Sequence, residues 1–253
     1  MEDRATITGF DFTDGKAINP DKINTGAQGV EGVGVNGDDV YVELFNGGRL
    51  MIDGAAGKDF AIANNYGDVV AQISGDDLTY DGRANYFSTT SKARAKVEVS
   101  SEVDNAEVWL NNGRDAQFHG NIYELDASNL EGNATLVGND FDNVITAGKG
   151  NSSLWGGNSA SNDTLIGGDG KDLFWYEMGN GNDEIHGASA NDSVNLYGVT
   201  VDMLTTEVTA DSIKLNFNNG QTLKLDTNDG TTFQLADGSN WIYDKSNSSW
   251  KTK

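Results

Sequence analysis

Large apolar residues recur at gaps of 9 or 11 residues in the middle of the chain, a period that fits neither an α-helix nor an ordinary strand. They are Leu136, Ile145, Leu154, Leu165, Phe174, Ile185 and Val194. The residue two positions before each of the last four is an aspartate, namely Asp163, Asp172, Asp183 and Asp192. A repeat of this length cannot bury its apolar residue alone, so we expect successive repeats to stack on one another.

One repeat matches a known calcium-binding nonapeptide. The stretch GGDGKDLFW at 167–175 fits G-G-x-G-x-D-x-U-x at every fixed position, where U is a large apolar residue. Residues 138–194 therefore resemble the RTX (repeats-in-toxin, haemolysin-type) repeats of exported bacterial proteins. The resemblance implies a parallel β-roll in which a six-residue turn precedes a short strand and two units make one coil. It also implies calcium between like turns of successive coils, bound by aspartate carboxylates and by carbonyls that glycine leaves accessible.

Two units per coil would divide the repeats between two sides of the roll. Asn143, Asp163 and Asp183 would lie on one side, and Asp172 and Asp192 on the other, each aspartate pair being 20 residues apart. We expect about two calcium ions, with a third at Asn143 and Asp163 as the alternative. The metal-binding residues implied in this way are Asp163, Asp183, Asp172, Asp192, Asn143, Gly168, Gly170, Gly179, Gly181, Asn162 and Asn182.

The aspartates have a simpler explanation that stays open. Asp and Asn are common turn formers, so the same spacing could belong to a calcium-free, glycine-rich β-solenoid. Ser152 and Ala134 stand where later repeats have aspartate. The first coils are therefore expected to stack through hydrogen bonds without metal.

Composition restricts the partners. The chain has 39 acidic and 17 basic residues, a formal charge of -22 and no cysteine. Phosphate backbones and anionic membranes would be repelled, so we expect neither nucleic acid nor membrane insertion, and cations are the natural partners. Disulfides and thiolate metal sites are excluded. The first residues lack the basic and apolar regions of a signal peptide.

Short alternating apolar runs outside the repeats predict an all-β fold, with antiparallel hairpins flanking the roll. Asn-Gly lies between such runs in LFNGGRL (44–50) and NFNNGQTL (216–223). Ordered identities such as Asp53 with Asp226 and Phe60 with Phe233 suggest an internal repeat of about 172 residues. We expect a partial first copy at 1–80, a β segment at 81–137, the calcium-binding roll at 138–194 and a second copy at 195–253.

Catalytic motifs are not found. His119 and His186 have no partner at a metalloprotease spacing, and the sequence has no nucleophile elbow or phosphate-binding loop. Trp155 and Trp175 follow interior positions of the roll and are expected to pack against it. Trp241 and Trp250 are better candidates for a ligand platform. From these features we expect the chain not to be an enzyme.

The resemblance implies a calcium-stabilised structural or adhesive module of a large tandem-repeat protein, secreted or on the bacterial cell surface. Such a chain would fold on binding calcium outside the cell and would contact neighbouring repeats. The alternative is a carbohydrate-binding or receptor-binding module in which the roll is a spacer. A third and weaker interpretation is a non-catalytic part of a secreted enzyme.

Overall fold

The structure is a computed structural model that describes residues 4–7, 22–24, 30–45, 47–63, 69–75, 78–80, 82, 86–90, 93–110, 122–226, 230–244, 247 and 249–252. These residues form β-strands and loops, with one 3-10 turn at Val201–Met203 and no α-helix. The prediction of an all-β fold is confirmed. In the described part of the chain, no helix has the length and apolar character needed to cross a membrane.

The strands are short, as the frequent glycines and turn residues predict. Those before residue 111 are β1 (Arg4–Ile7), β2 (Lys22–Asn24), β3 (Val30–Asn36), β4 (Asp39–Leu44), β5 (Arg49–Ile52), β6 (Phe60–Ala63), β7 (Val69–Ser74), β8 (Leu78–Tyr80), β9 (Tyr86–Thr89), β10 (Ala95–Val99) and β11 (Ala106–Leu110).

The later strands contain all of the spaced apolar residues. They are β12 (Ile122–Asp126), β13 (Ala134–Val137), β14 (Val144–Thr146), β15 (Ser152–Trp155), β16 (Thr164–Ile166), β17 (Leu173–Glu177), β18 (Asp183–His186), β19 (Ser193–Tyr197), β20 (Leu204–Val208), β21 (Ile213–Phe217), β22 (Thr222–Leu225), β23 (Thr232–Gln234), β24 (Asn240–Asp244) and β25 (Ser249–Thr252).

The chain divides into two compact units. The first comprises Met1–Thr79, Ala84–Val97 and Trp109–Tyr123, and the second comprises Tyr80–Arg83, Glu98–Val108 and Glu124–Lys253. In the first unit, β3, β4 and β5 form an antiparallel sheet, and β1 pairs with β5 in parallel. Strand β6 pairs with β7 antiparallel and with β2 in parallel. Buried aliphatic residues such as Val33, Val40 and Ile52 form the core of this unit.

The second unit contains two sets of parallel strands that alternate along the chain. One set has the order β12-β14-β16-β18-β22, and the other has the order β13-β15-β17-β19-β23. From β14 to β19, each strand therefore pairs with the strand two before it, while β22 and β23 pair with the strands four before them, β18 and β19. Parallel pairing of this kind requires a crossover, which the neighbouring strand of the other set provides.

Pairing places the spaced apolar residues side by side in two rows. One row contains Ile145, Leu165 and Ile185, and the other contains Leu136, Leu154, Phe174 and Val194. Each of these side chains is at most 1% exposed. Since fully burying a large apolar side chain contributes about 1.5–3 kcal/mol, these rows offset the entropy lost in ordering so many glycines.

Antiparallel strands extend both sets in the second unit. Strands β22, β21 and β20 continue the first set, while β24 and β25 follow β23 in the second. The turn after β21 is the predicted Asn-Gly turn, in which Gly220 has φ +88° and donates its N–H to the carbonyl of Phe217. The turn after β4 is similar, with Gly47 at φ +81° bonded to Leu44.

The same pairing order occurs in both units. Strands β3, β4 and β5 are antiparallel, and β5 then pairs in parallel with β1. Strands β20, β21 and β22 are also antiparallel, and β22 pairs in parallel with β18. Val40 pairs with Ile52 in the first hairpin, and Ile213 pairs with Leu225 in the second. The distance along the chain from Val40 to Ile213 equals the distance from Ile52 to Leu225, so one shift relates the two pairs.

Candidate metal centre

The four phased aspartates lie at the starts of consecutive strands of the second unit and join one coil to the next. Oδ1 of Asp163 accepts a hydrogen bond from the backbone N–H of Asn143 at 2.8 Å, and Oδ1 of Asp183 accepts one from the N–H of Asp163 at 2.9 Å. On the other side, Oδ1 of Asp172 accepts from the N–H of Ser152 at 2.8 Å. Each carboxylate thus bonds to the backbone one coil earlier.

Asp192 completes the second of these ladders. Its Oδ1 accepts from the N–H of Asp172 at 2.7 Å, and its Oδ2 accepts from the N–H of Ser189 at 2.6 Å. Oδ2 of Asp172 accepts from the N–H of Gly168 at 2.8 Å. Both oxygens of these two carboxylates are therefore bonded to backbone N–H groups, which fixes their orientation toward the turns of the roll.

Burial dominates the electrostatics of these carboxylates. Asp163, Asp172, Asp183 and Asp192 are each at most 5% exposed. Burial raises the pKa of Asp163 to about 8; the hydrogen bond from Asn143 opposes the shift, and the charge of Asp183 adds to it. Burial also raises the pKa of Asp183 to about 7 and raises the pKa of Asp172. The charged groups that act on these three carboxyls are all acidic.

A second kind of ladder lies beside the first on the exposed surface of the turns. Oδ1 of Asp142 accepts the N–H of Asn162, Oδ1 of Asn162 accepts the N–H of Asn182, and Oδ1 of Asn182 accepts the N–H of Thr222. On the other side, Asn133 and Asn151 make the corresponding bonds to the N–H groups of Asn151 and Lys171. The side-chain oxygens of Asn162 and Asn182 thus bond to the backbone of the following coil.

Glycines make the close stacking of the turns possible. A Cβ on Gly168 would lie 1.6 Å from the carbonyl oxygen of Gly148, and one on Gly170 would lie 2.2 Å from that of Gly150. A Cβ on Gly181 would lie 1.7 Å from the carbonyl oxygen of Ser161. Backbone carbonyls of one coil therefore face glycines of the next coil without a side chain between them. At Gly179, by contrast, an added Cβ would meet no atom within 4 Å, and the N–H of this glycine donates to Oε1 of Gln221 at 2.8 Å.

The earlier coils carry neutral groups at the ladder positions. Oδ1 of Asn143 accepts the N–H of Asn139 at 2.7 Å, within its own turn. Ser152 has only a hydroxyl, which lies 3.4 Å from the carbonyl of Gly150. Buried carboxylates in this series therefore begin at Asp163, as the sequence pattern predicts.

Calcium matches the donor chemistry of these turns. Calcium takes six to eight oxygen ligands, and each side of the roll offers two buried carboxylates together with carbonyls that face glycine. No group of three or more His, Cys, Asp or Glu side chains in the described residues is arranged to hold a metal. A cation would therefore need backbone carbonyls in addition to the aspartates. Asp163, Asp183, Asp172 and Asp192 are the residues that would hold it.

The other candidate residues lie elsewhere. His186 is on the outer surface of β18, where its two ring nitrogens lie 3.0 Å from Asp226 and 3.3 Å from Glu184. His119 lies outside the described residues. Trp155 and Trp175 pair across β15 and β17 and are half-buried, and Nε1 of Trp175 donates to Ser153 at 2.9 Å. These two tryptophans cover the outer surface of the strands, as expected.

Comparisons with known proteins give a structural likeness but no family. No protein-family profile matches the chain, and no curated protein matches it. Among solved structures, it is similar to the extracellular lipase LipA from Serratia marcescens, with 20% identity and a TM-score of 0.30. The match covers 83% of this chain and 30% of the lipase.

One sequence prediction is corrected by this likeness. We expected the chain not to be an enzyme, but a solved structure to which it is similar is a lipase, so that prediction is withdrawn. At a TM-score of 0.30 the likeness assigns no activity to this chain.

Proposed function

We propose that this chain is a calcium-stabilised repeat module whose centre is an RTX-type β-roll. In this proposal, calcium binds between the stacked turns on both sides of the roll. The ligands are the carboxylates of Asp163 and Asp183 on one side and of Asp172 and Asp192 on the other, with carbonyls of the glycine-rich turns.

The supporting observation is a contrast between the two kinds of ladder. Asn162 and Asn182 bond to the backbone of the next coil with neutral amides, and they do so on the exposed surface. Asp163 and Asp183 make the equivalent bond to the previous coil with carboxylates, although their side chains are buried. Burying a charge destabilises the fold unless an opposite charge accompanies it. A neutral amide would satisfy the same N–H group, so the charge itself needs a reason.

A bound cation supplies that reason. The pKa values of Asp163 and Asp183 are raised because the carboxylates are buried beside other acids. A divalent ion between them would compensate both charges and the loss of water. Extracellular calcium modules bind with dissociation constants of about 10⁻⁴–10⁻³ M, so such a site would fill outside the cell and empty where calcium is scarce.

The proposal extends to where the module acts. We place it in a secreted or cell-surface bacterial protein with a structural or adhesive role, in contact with further repeats of the same chain. Support comes from the shared pairing order of β3–β5 and β20–β22, because a duplicated β unit is typical of proteins built from repeats. An acidic surface at a charge of -22 is also compatible with a calcium-rich medium.

Calorimetry on chelator-treated protein tests the proposal. We expect about two calcium ions per chain, together with a gain in thermal stability. The double variant Asp163→Asn, Asp183→Asn should lose one ion, and Asp172→Asn, Asp192→Asn should lose the other. The exposed Asp169→Asn is the matched control, because it lies in the same turn as Asp172, and it should keep both ions. A stoichiometry of zero, or equal binding by all of these variants, would reject the proposal.

A further inference from the structure

A cavity of about 180 Å³ lies between the antiparallel ends of the two strand sets in the second unit. Its walls are formed by the 3-10 turn and by strands β19, β20, β21, β23, β24 and β25. Leu235, directly after β23, also lines it. We call it the tryptophan pocket, after Trp241 and Trp250, which line it with Phe233, Leu215, Thr205 and Val201 among others. The described residues that line it include no charged side chain.

Both tryptophans are held in place by the protein. Nε1 of Trp250 donates to the hydroxyl of Thr206 at 3.2 Å, and its ring packs edge-to-face against Phe233 and Tyr243, with centroids 5.5 and 5.4 Å away. Nε1 of Trp241 donates to the hydroxyl of Ser239 at 3.0 Å. The polar atoms of both indoles are therefore already used, and the rings offer apolar surface to the pocket.

These contacts decide which ligands suit the pocket. A pyranose would bring several hydroxyls to a site where both indole N–H groups are already engaged, and unpaired buried hydroxyls are unfavourable. A charged ligand would lose its water without gaining an opposite charge. An uncharged, mostly apolar ring loses little on leaving water and gains contact with the aromatic walls.

We propose that the tryptophan pocket binds small uncharged aromatic or alicyclic molecules, independently of the calcium sites. Its size agrees with this class, since an apolar cavity of about 150 Å³ in another protein binds benzene. Ligands of roughly six to ten heavy atoms would fill it. The rim residues Val201 and Thr205 are exposed, so the site is open to solvent.

Fluorine NMR on the full chain with calcium present tests this proposal. We expect 4-fluorotoluene to show saturable line broadening, and unlabelled indole to displace it. The variant Thr205→Trp should weaken binding at least tenfold, because a large ring at this exposed position would fill the mouth of the pocket. Val201→Trp is a second blocking variant on a different element, in case the first disturbs β20.

Glu207→Trp is the matched control. It adds the same side chain at an exposed position two residues further along β20, outside the pocket, and should bind within twofold of the parent chain. Three outcomes would overturn the proposal. The parent chain could show no saturable broadening, both blocking variants could fold and bind the probe as tightly as the parent chain does, or methyl β-glucoside or tetramethylammonium could displace the probe.

Discussion

Replacing Asp163 with asparagine should stabilise the calcium-free protein. The side chain keeps its shape, and its amide oxygen can still accept the N–H of Asn143 that Asp163 accepts at 2.8 Å. Ser161, whose hydroxyl lies 3.4 Å from Oδ2 of Asp163, can accept a hydrogen bond from the new amide. The substitution therefore removes a buried charge while leaving the ladder intact.

The magnitude follows from the shifted pKa. Burial raises the pKa of Asp163 from 3.8 to about 8, so the folded state binds this proton more tightly than the unfolded state. The associated stability is fully present below pH 3.8 and is lost as the pH rises toward 8. At about 1.36 kcal/mol per pKa unit, the loss at pH 7 is at most about 4 kcal/mol. Because Asp183 shares the site and the structure can relax, we expect Asp163→Asn to recover about 2–4 kcal/mol.

Urea unfolding of chelator-treated protein from pH 5 to 8.5 measures this effect. The parent chain should lose stability across the range, and Asp163→Asn should lose less, so the difference grows with pH. Saturating calcium should offset most of this difference, since an ion at 100 times its dissociation constant adds about 2.7 kcal/mol to the parent chain, which is comparable with what the substitution recovers. The exposed Asp169→Asn should follow the parent in both conditions. If calcium-free Asp163→Asn were less stable than the parent chain at pH 8, the buried carboxylate would not be what destabilises the calcium-free fold.

Three further substitutions, one of them with a matched comparison, test the packing of the roll. Gly181→Ala should destabilise by more than about 3 kcal/mol in chemical denaturation, because its Cβ would meet the Ser161 carbonyl at 1.7 Å and its φ is +104°. Phe174→Ala should cost about 3–5 kcal/mol in the same assay, whereas Leu173→Ala, on the half-buried outer surface, should cost less than half as much. Tyr176→Phe should cost about 1 kcal/mol, because the buried hydroxyl donates to the Gly181 carbonyl at 3.2 Å; a neutral result in thermal unfolding would contradict that bond's contribution.

The interior of the second unit could be predicted from sequence because it depends on spacing alone. Gaps of 9 and 11 residues place Leu165 and Ile185 in one row and Phe174 and Val194 in the other, and the pairing register has the same arrangement. The predicted aspartate pairs are also in contact. The backbone N–H of Asp163 donates to the carboxylate of Asp183, and that of Asp172 donates to the carboxylate of Asp192. A strict period leaves few alternatives, since a shift by one residue would expose the whole row.

The tryptophan pocket could not be predicted in this way, because it depends on which distant segments of the chain come together, and residue spacing carries no information about that. Trp241 and Trp250 were recognised as ligand candidates, but the pocket that joins them also needs Leu215 and Val201 from earlier elements. The exposed asparagine ladders have a signal that could have been used. Asn162 and Asn182 are 20 residues apart, which is the coil period, and each directly precedes a buried aspartate.

The change from neutral to charged residues along the ladders separates two sources of stability. Backbone N–H groups at these positions need an acceptor in every coil, and Asn139 donates to a neutral amide, that of Asn143, in the earlier coils. From Asp163 onward the acceptor is a carboxyl group, and the raised pKa of Asp163 indicates that its charged form weakens the calcium-free fold. Under the proposed function, the earlier coils would therefore stack without an ion, while the later coils would need one for full stability. Since each coil pairs in parallel with the one before it, the neutral coils would in that case offer a formed edge on which the charged coils assemble when calcium is present.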